Sequence, residues 1–160
     1  MAVHPEAAPG AVHVFYSYAH EDEEARDRLA TFLATLRRQR LISECHDRMI
    51  TGGKPWRGEI SAHLEAADVI LALVSPDFLA SDYCYDVEMR TALAKHEAGT
   101  ARVIPIILEY CDWDTTPLAE LQAFPRDARP ISAWTNRNEA WLIVTKGIRA
   151  VVEELRQQRS

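Results

Sequence analysis

Residues 69–74 read Val-Ile-Leu-Ala-Leu-Val, an apolar run with no polar alternation. A strand of that kind is covered on both faces, as in a parallel sheet held between layers of helices. The rest of the chain supplies the alternation such a sheet needs. Val12 to Tyr18 is rich in β-branched and aromatic residues and reads as a first strand. Residues 22–39 then place Leu29, Phe32, Leu33 and Leu36 at i, i+3, i+4 and i+7, the apolar face of a helix. The acids Glu21 to Glu24 precede that helix and the bases Arg37, Arg38 and Arg40 close it, which suits its dipole, and the acidic run reads as a solvated helix start.

Leu41 to His46 is a second strand, and Trp56 to Ala66 a second helix with Ile60 and Leu64 facing inward. The apolar run is the third strand, followed by a Ser75-Pro76 break and a third helix to about Ala98. Arg102 to Leu108 is a fourth strand, in which Pro105 predicts a bulge or a nearly edge position. Residues 109–129 form a loop region with a short helix around Leu118 to Ala123, and Ile131 to Trp134 a fifth strand. Asn136 or Asn138 caps a last helix on which Trp141, Val144, Ile148, Val151, Val152 and Leu155 recur at helical spacing.

Strands alternating with helices predict an α/β fold: a flavodoxin-like, five-stranded parallel sheet with helices on both faces, right-handed crossovers and strand order 2-1-3-4-5. Residues 12–157 form this domain, 1–11 a loose leader and 158–160 a tail or the start of a linker. Ligands in such folds sit at the carboxyl ends of the strands where the order reverses, here between strands one and three. Ser17, Tyr18, Ala19 and His20 end strand one, His46 and Asp47 end strand two, and Ser75 ends strand three, so their polar groups should converge on one crevice.

The third helix opens with Ser81-Asp82-Tyr83-Cys84-Tyr85-Asp86-Val87-Glu88-Met89. Helical neighbours lie three and four positions away, and for Glu88 these are Cys84, Tyr85, Thr91 and Ala92, none of them basic. Asp86 has Arg90 at i+4 and reads as an ordinary solvated pair. Glu88 is therefore either paired with another element, Lys54 or Arg57 of the loop after strand two being at hand, or kept for chemistry.

Other chemistries find little support. A net charge of -6 and the lack of a basic stripe interleaved with aromatics argue against nucleic-acid binding. No apolar run approaches the roughly 20 residues that span a bilayer, and the first residues lack the basic and apolar regions of a signal peptide. Cys45, Cys84 and Cys111 are odd in number and far apart, which fits reduced thiols in a cytosol. Gly52-Gly53-Lys54 lacks phosphate-loop spacing, and Cys45-His46-Asp47, adjacent along a strand, point apart and make a poor metal site. A Cys84 nucleophile lacks an identifiable base. A receiver domain would need a phosphoacceptor Asp where Ser75 stands and a Lys after strand five, where the chain has Trp134-Thr135-Asn136.

Several segments, in order, carry a resemblance: Val14-Phe15-Tyr16-Ser17-Tyr18; Asp47-Arg48-Met49-Ile50-Thr51-Gly52-Gly53-Lys54-Pro55-Trp56; Leu73-Val74-Ser75-Pro76-Asp77-Phe78-Leu79; Ser81 to Glu88; Val103-Ile104-Pro105-Ile106; and Trp134. Together they resemble a Toll/interleukin-1 receptor (TIR) domain of the kind found in bacterial proteins, from about Val12 to Leu155. Tyr83 stands where the family often has Trp, and Ala19 and His20 where some family enzymes carry Arg.

The resemblance implies one of two functions. Many family members cleave NAD at the nicotinamide–ribose bond, giving nicotinamide and ADP-ribose or a cyclic isomer, and are activated by self-association. Others are non-catalytic scaffolds acting by TIR–TIR contact. For the enzyme it implies Glu88 as the catalytic residue, with Asp86 the alternative under a shifted alignment. Ser17, Tyr18, His20, Asp47, Trp56, Ser75, Tyr83 and Cys84 would bind substrate, with Tyr18, Trp56 or Tyr83 stacking on a flat base. Tyr18 reads equally as core, His20 as a solvated helix-start residue, and Asp47 as a cap of its own loop. Arg48, Gly52, Gly53, Lys54 and Pro55 belong to the loop that docks on a neighbouring copy. NAD+ is then a substrate, with no metal and no cofactor. The implied partners are other TIR domains and an upstream sensor domain or protein. The implied setting is the bacterial cytoplasm, in antiviral defence by NAD depletion or in interference with a host's TIR signalling.

Overall fold

The computed structural model describes residues 10–45 and 62–159. Strand β1 (Val12–Ser17) leads through a short turn of 3-10 helix into α1 (Glu23–Phe32) and α2 (Ala34–Arg38), then β2 (Ile42–Cys45). The helix expected over 22–39 is thus broken at Leu33, whose ψ of 1° interrupts the α geometry. Residues 62–66 are helical. Then come β3 (Val69–Val74), α3 (Pro76–Ala80), a π-helical segment (Asp82–Glu88), α4 (Met89–Glu97), β4 (Arg102–Ile107) and the terminal α5 (Arg137–Arg159).

The strands form one parallel sheet in the order β2-β1-β3-β4. All six residues of β3 are buried, as a strand apolar on both faces requires. Side chains alternate between two cores. Val12, Val14, Tyr16, Leu71 and Ile106 face α1, α2 and α5, where Leu29, Leu36, Trp141, Val144 and Ile148 cover them. Phe15, Ile70, Ala72, Val103 and Ile107 face the other way, under Phe78, Met89 and Ala92.

The fifth strand does not form. Ile131–Ala133 is a turn of 3-10 helix behind Pro130, tied to the sheet by Ser132 N–H donating to Leu108 O at 3.2 Å. Beyond β4, strand-like pairing among the described residues is confined to a bridge between Ile106 and Phe124. The Phe124 amide donates to Pro105 O at 2.9 Å, and the Ile107 amide to Phe124 O at 2.8 Å.

This pairing explains Pro105. The amides of Arg102 and Leu108 point toward β3, while those of Val103 and Ile107 point outward, the former to His96 Nδ1 at 3.1 Å. Pro105 stands in the outward row, so its missing N–H costs the β3 ladder nothing. Asn136 caps α5, its Oδ1 accepting from the amides of Asn138 at 3.0 Å and Glu139 at 3.3 Å. Trp141 is buried in the core, while Trp134 is half-buried with the Arg129 guanidinium 5.3 Å from its ring centroid.

Candidate active site

β1 is central and pairs with β2 on one side and β3 on the other, so the strand order reverses at its carboxyl end. Ser17 and Tyr18 lie there, and alternation sends their side chains to opposite faces. Ser17 follows Phe15 to the face of α3, the π-helical segment and α4. Tyr18 follows Tyr16 to the face of α1.

On the first face, Ser17 Oγ donates to Glu88 Oε1 at 2.7 Å. Ser17 is 0% exposed and Glu88 4%. A carboxylate that deep is tolerated only when it is hydrogen-bonded, since desolvating it otherwise costs several kcal/mol or more. One turn earlier, the buried Cys84 thiol donates to Tyr18 O at 3.2 Å. Consecutive residues at the end of β1 therefore engage successive turns of one helix.

That helix is unusual in the stretch that does so. Residues Asp82–Glu88 are π-helical, and the Met89 amide donates to Cys84 O five residues back. A turn closed this way holds one residue more than an α turn, and such turns recur at functional sites. The wider turn brings Glu88 nearly above Cys84, so both face β1. Ser81 starts the segment by accepting from the Cys84 amide at 3.1 Å. Asp86 and Arg90 are both exposed, on the outer side, and among the described residues neither takes part in an ion pair. Glu88, not Asp86, is thus the carboxylate at the switch point.

At the end of β3, Ser75 is buried and caps α3, its Oγ accepting from the Phe78 amide at 3.0 Å, with Pro76 in the first helical position. The same hydroxyl donates to Asp22 Oδ2. Asp22, half-buried in the turn after β1, stands beside the site although the sequence presents it as part of a solvated acidic run. Its pKa is raised from the ordinary carboxylate value; burial is the largest cause, partly offset by the Ser75 hydrogen bond, with Asp77, Glu21 and Glu109 adding to the rise. No sequence signal links it to Ser75, 53 residues away.

The expected residues thus divide. Ser17, Cys84 and Glu88 meet at the end of β1 and Ser75 stands at the end of β3, whereas Tyr18 joins them only through its main-chain oxygen, its ring lying in the core on the α1 face against Arg26. Tyr83 is half-buried on the same segment, and His20 is exposed in the turn after β1. Asp47, Arg48, Gly52, Gly53, Lys54, Pro55 and Trp56 lie outside the described residues, as does Arg57.

Two buried charges escaped the sequence reading. Arg26 is 2% exposed, with its guanidinium 5.5 Å from the Tyr18 ring centroid and 5.9 Å from that of Tyr16. Glu44 of β2 accepts from Tyr16 Oη and, at 2.6 Å, from Arg37 Nη1. Burial, then the Glu44 carboxylate, hold the Tyr16 phenol well above its ordinary pKa.

A groove of about 720 Å³ opens at the same edge of the sheet, lined by Glu21, Asp22, Asp27, Glu109, Ser132 and Trp141 among others. It lies on the α1 and α5 side, and neither Ser17 nor Glu88 lines it. Among the described residues, Cys111 is a free thiol, no group of His, Cys, Asp and Glu is placed to hold a metal ion, and no helix is long and apolar enough to cross a membrane.

A family model described as TIR domain matches residues 14–141. An uncharacterized protein of Sinorhizobium fredii (strain NBRC 101917 / NGR234), y4lF, is 49% identical over 136 residues, which cover 85% of this chain and 42% of that protein; the chain spans about two fifths of that relative's length. Among solved structures, the TIR domain of the Toll-related receptor TRR-2 of Hydra magnipapillata superposes with a TM-score of 0.60 at 23% identity, covering 85% of this chain and 97% of that one. A weaker likeness, with a TM-score of 0.47 at 18% identity over 92% of this chain and 80% of the other, is to the TIR domains of the activated Roq1 resistosome recognizing the pathogen effector XopQ. With the parallel sheet, the reversal of strand order at β1 and a family match from β1 into α5, the chain belongs to the TIR domain family.

Proposed function

We propose that this TIR domain is an NAD+ glycohydrolase that cleaves the nicotinamide–ribose bond, with Glu88 as its catalytic residue. One observation carries the reading: a nearly buried carboxylate, oriented by the Ser17 hydroxyl, stands at the carboxyl ends of β1 and β3 where α/β folds bind their ligands.

The chemistry suits a single carboxylate. Ordinary glycoside hydrolysis uses two, because the leaving oxygen must be protonated. Nicotinamide leaves NAD+ as a neutral base from a cationic ring, so no proton donor is required. What remains is to stabilise the positive charge that builds on the ribose and to hold its hydroxyls. A fixed carboxylate in a dry setting does this without reorganising during the step. Ser17, fully buried and bonded to Glu88, serves that orientation. Tyr83, His20 and, from the loop after β2, Trp56 and Asp47 are the groups proposed to bind the dinucleotide. NAD+ is a substrate here; the reaction needs no metal or further cofactor.

Self-association with other copies is proposed to activate the enzyme, with the segment Arg48 to Pro55 docking on a neighbour, and an upstream sensor to drive it. The biological role that follows is depletion of NAD+ in bacterial defence. The test is to incubate the chain with NAD+ over a range of concentrations, with and without a crowding agent, and follow nicotinamide. Release that rises more steeply than linearly with protein concentration is expected. No release under crowded or assembled conditions overturns the reading and leaves a TIR–TIR interaction module.

A further inference from the structure

Asp22 occupies the N-cap position of α1, where an Asp side chain ordinarily accepts an amide of its own helix. It makes no such bond. Its carboxylate instead accepts from Ser75 Oγ at the end of β3. That bond ties the turn after β1 to the end of β3.

The link leads toward Glu88. Ser75 caps α3, α3 ends at Ala80, Ser81 caps the π-helical segment, and that segment carries Cys84 and Glu88. Its far end is bound to β1 twice, through Cys84 to Tyr18 O and through Glu88 to Ser17. Its near end is bound to the turn after β1 by the Ser75–Asp22 bond. The stretch from Ser75 to Glu88 is therefore clasped at both ends against the same piece of chain, residues 17–22.

We propose that Asp22 is a positioning residue for Glu88: by holding Ser75 it fixes the start of the segment whose π turn presents the carboxylate to the crevice. Asp22 acts through Ser75 and need not touch the substrate. The proposal rests on the reading of Glu88 as the catalytic carboxylate.

The test compares wild type, Asp22→Ala, Asp22→Asn, Ser75→Ala and the double variant Asp22→Ala/Ser75→Ala. Two readouts are taken: steady-state NAD+ cleavage, and the rate at which Cys84 is alkylated, mapped by mass spectrometry with Cys111 as the internal control. Cys84 is buried one turn from Glu88, so its labelling reports loosening of the segment without reference to activity.

Asp22→Ala is expected to lower kcat about tenfold or more with KM nearly unchanged, since small displacements of a catalytic group cost rate rather than binding. It should also speed Cys84 labelling about fivefold or more. Asp22→Asn keeps an oxygen that accepts from Ser75, and both readouts should stay within about threefold of wild type. The double variant should match Ser75→Ala within about twofold, because the two residues act through one bond.

An Asp22→Ala protein with wild-type kcat and wild-type Cys84 labelling overturns the proposal. So does an Asp22→Asn protein as impaired as Asp22→Ala. If Asp22→Ala does not fold, Ser75→Ala against Ser75→Thr, which retains the hydroxyl, carries the same comparison. If wild type proves unable to cleave NAD+, the catalytic reading falls, and Cys84 labelling alone decides whether the clasp exists.

Discussion

Ser17 and Glu88, 71 positions apart in the chain, meet in a buried hydrogen bond of 2.7 Å across the end of the sheet. Hydrogen bonds to charged groups are worth more than neutral ones, and a buried acceptor that loses its donor retains its desolvation penalty. Ser17→Ala should therefore lower unfolding free energy by about 1–3 kcal/mol, read as a lower urea midpoint at an unchanged m-value. With Glu88 as the catalytic residue, the same variant is expected to lower kcat for NAD+ cleavage more than it raises KM. A midpoint identical to wild type would mean that the bond contributes nothing.

The opposite end of the sheet carries a pH dependence. His13 of β1 has Asp68 and His63 as its titratable neighbours, with its Nδ1 3.1 Å from Ser43 Oγ. Its pKa is lowered, first by burial, against the opposing pull of Asp68 and with a smaller push from His63. Between the lowered folded value and the ordinary 6.5, the unfolded chain holds more protons than the folded one. Stability therefore rises with pH through that window and declines as pH falls below about 6.5. Thermal midpoints at several pH values between about 5 and 7.5 should show this slope, and His13→Gln should flatten it. An equal slope in both proteins would assign the effect to other groups.

Gly147 lies in α5 against Phe124. A Cβ built on it would stand 2.6 Å from Phe124 Cε1 and Cζ. Alanine in place of glycine inside a helix is worth about 1 kcal/mol in propensity, but overpacking a fitted contact costs about 1–3 kcal/mol. The Phe124 backbone is pinned to β4 by its bridge to Ile106, so relief must come from rotation of the ring itself, out of its contact with the core. Gly147→Ala should lower the melting temperature, and the same change in a Phe124→Ala background should raise it. A stabilising Gly147→Ala in the wild-type background would show that the ring yields cheaply.

Particular residues show why some of this was legible in the sequence and some was not. The uniform apolarity of Val69–Val74 announces a strand covered on both faces, and every one of its residues is buried. Glu88 without a basic helical neighbour and Asp86 with Arg90 beside it correctly separate a buried carboxylate from a solvated one, although Asp86 and Arg90 do not close an ion pair. The residues at the ends of β1 and β3 follow from topology alone. Ile131 to Trp134 misleads because its apolar residues suit a strand as well as a tight turn; hydrogen bonds to the sheet, set by Pro105 and Phe124, decide between them. The π turn is hidden because one extra residue per turn barely alters helical spacing over so short a stretch. The Ser75–Asp22 bond, the burial of Arg26 and the Tyr16–Glu44–Arg37 cluster join residues distant in sequence, and polar residues carry no periodic signal of such partners.

The most direct measurement sets Glu88→Gln beside Asp86→Asn and wild type, each concentrated and crowded with NAD+, and follows nicotinamide over time. Glutamine keeps the shape of Glu88 and an oxygen to accept from Ser17, but removes the charge that would stabilise the developing cation. The account predicts release by wild type, release within about threefold of it by Asp86→Asn, and a loss of about a hundredfold or more in Glu88→Gln. Equal release by Glu88→Gln and wild type would contradict it.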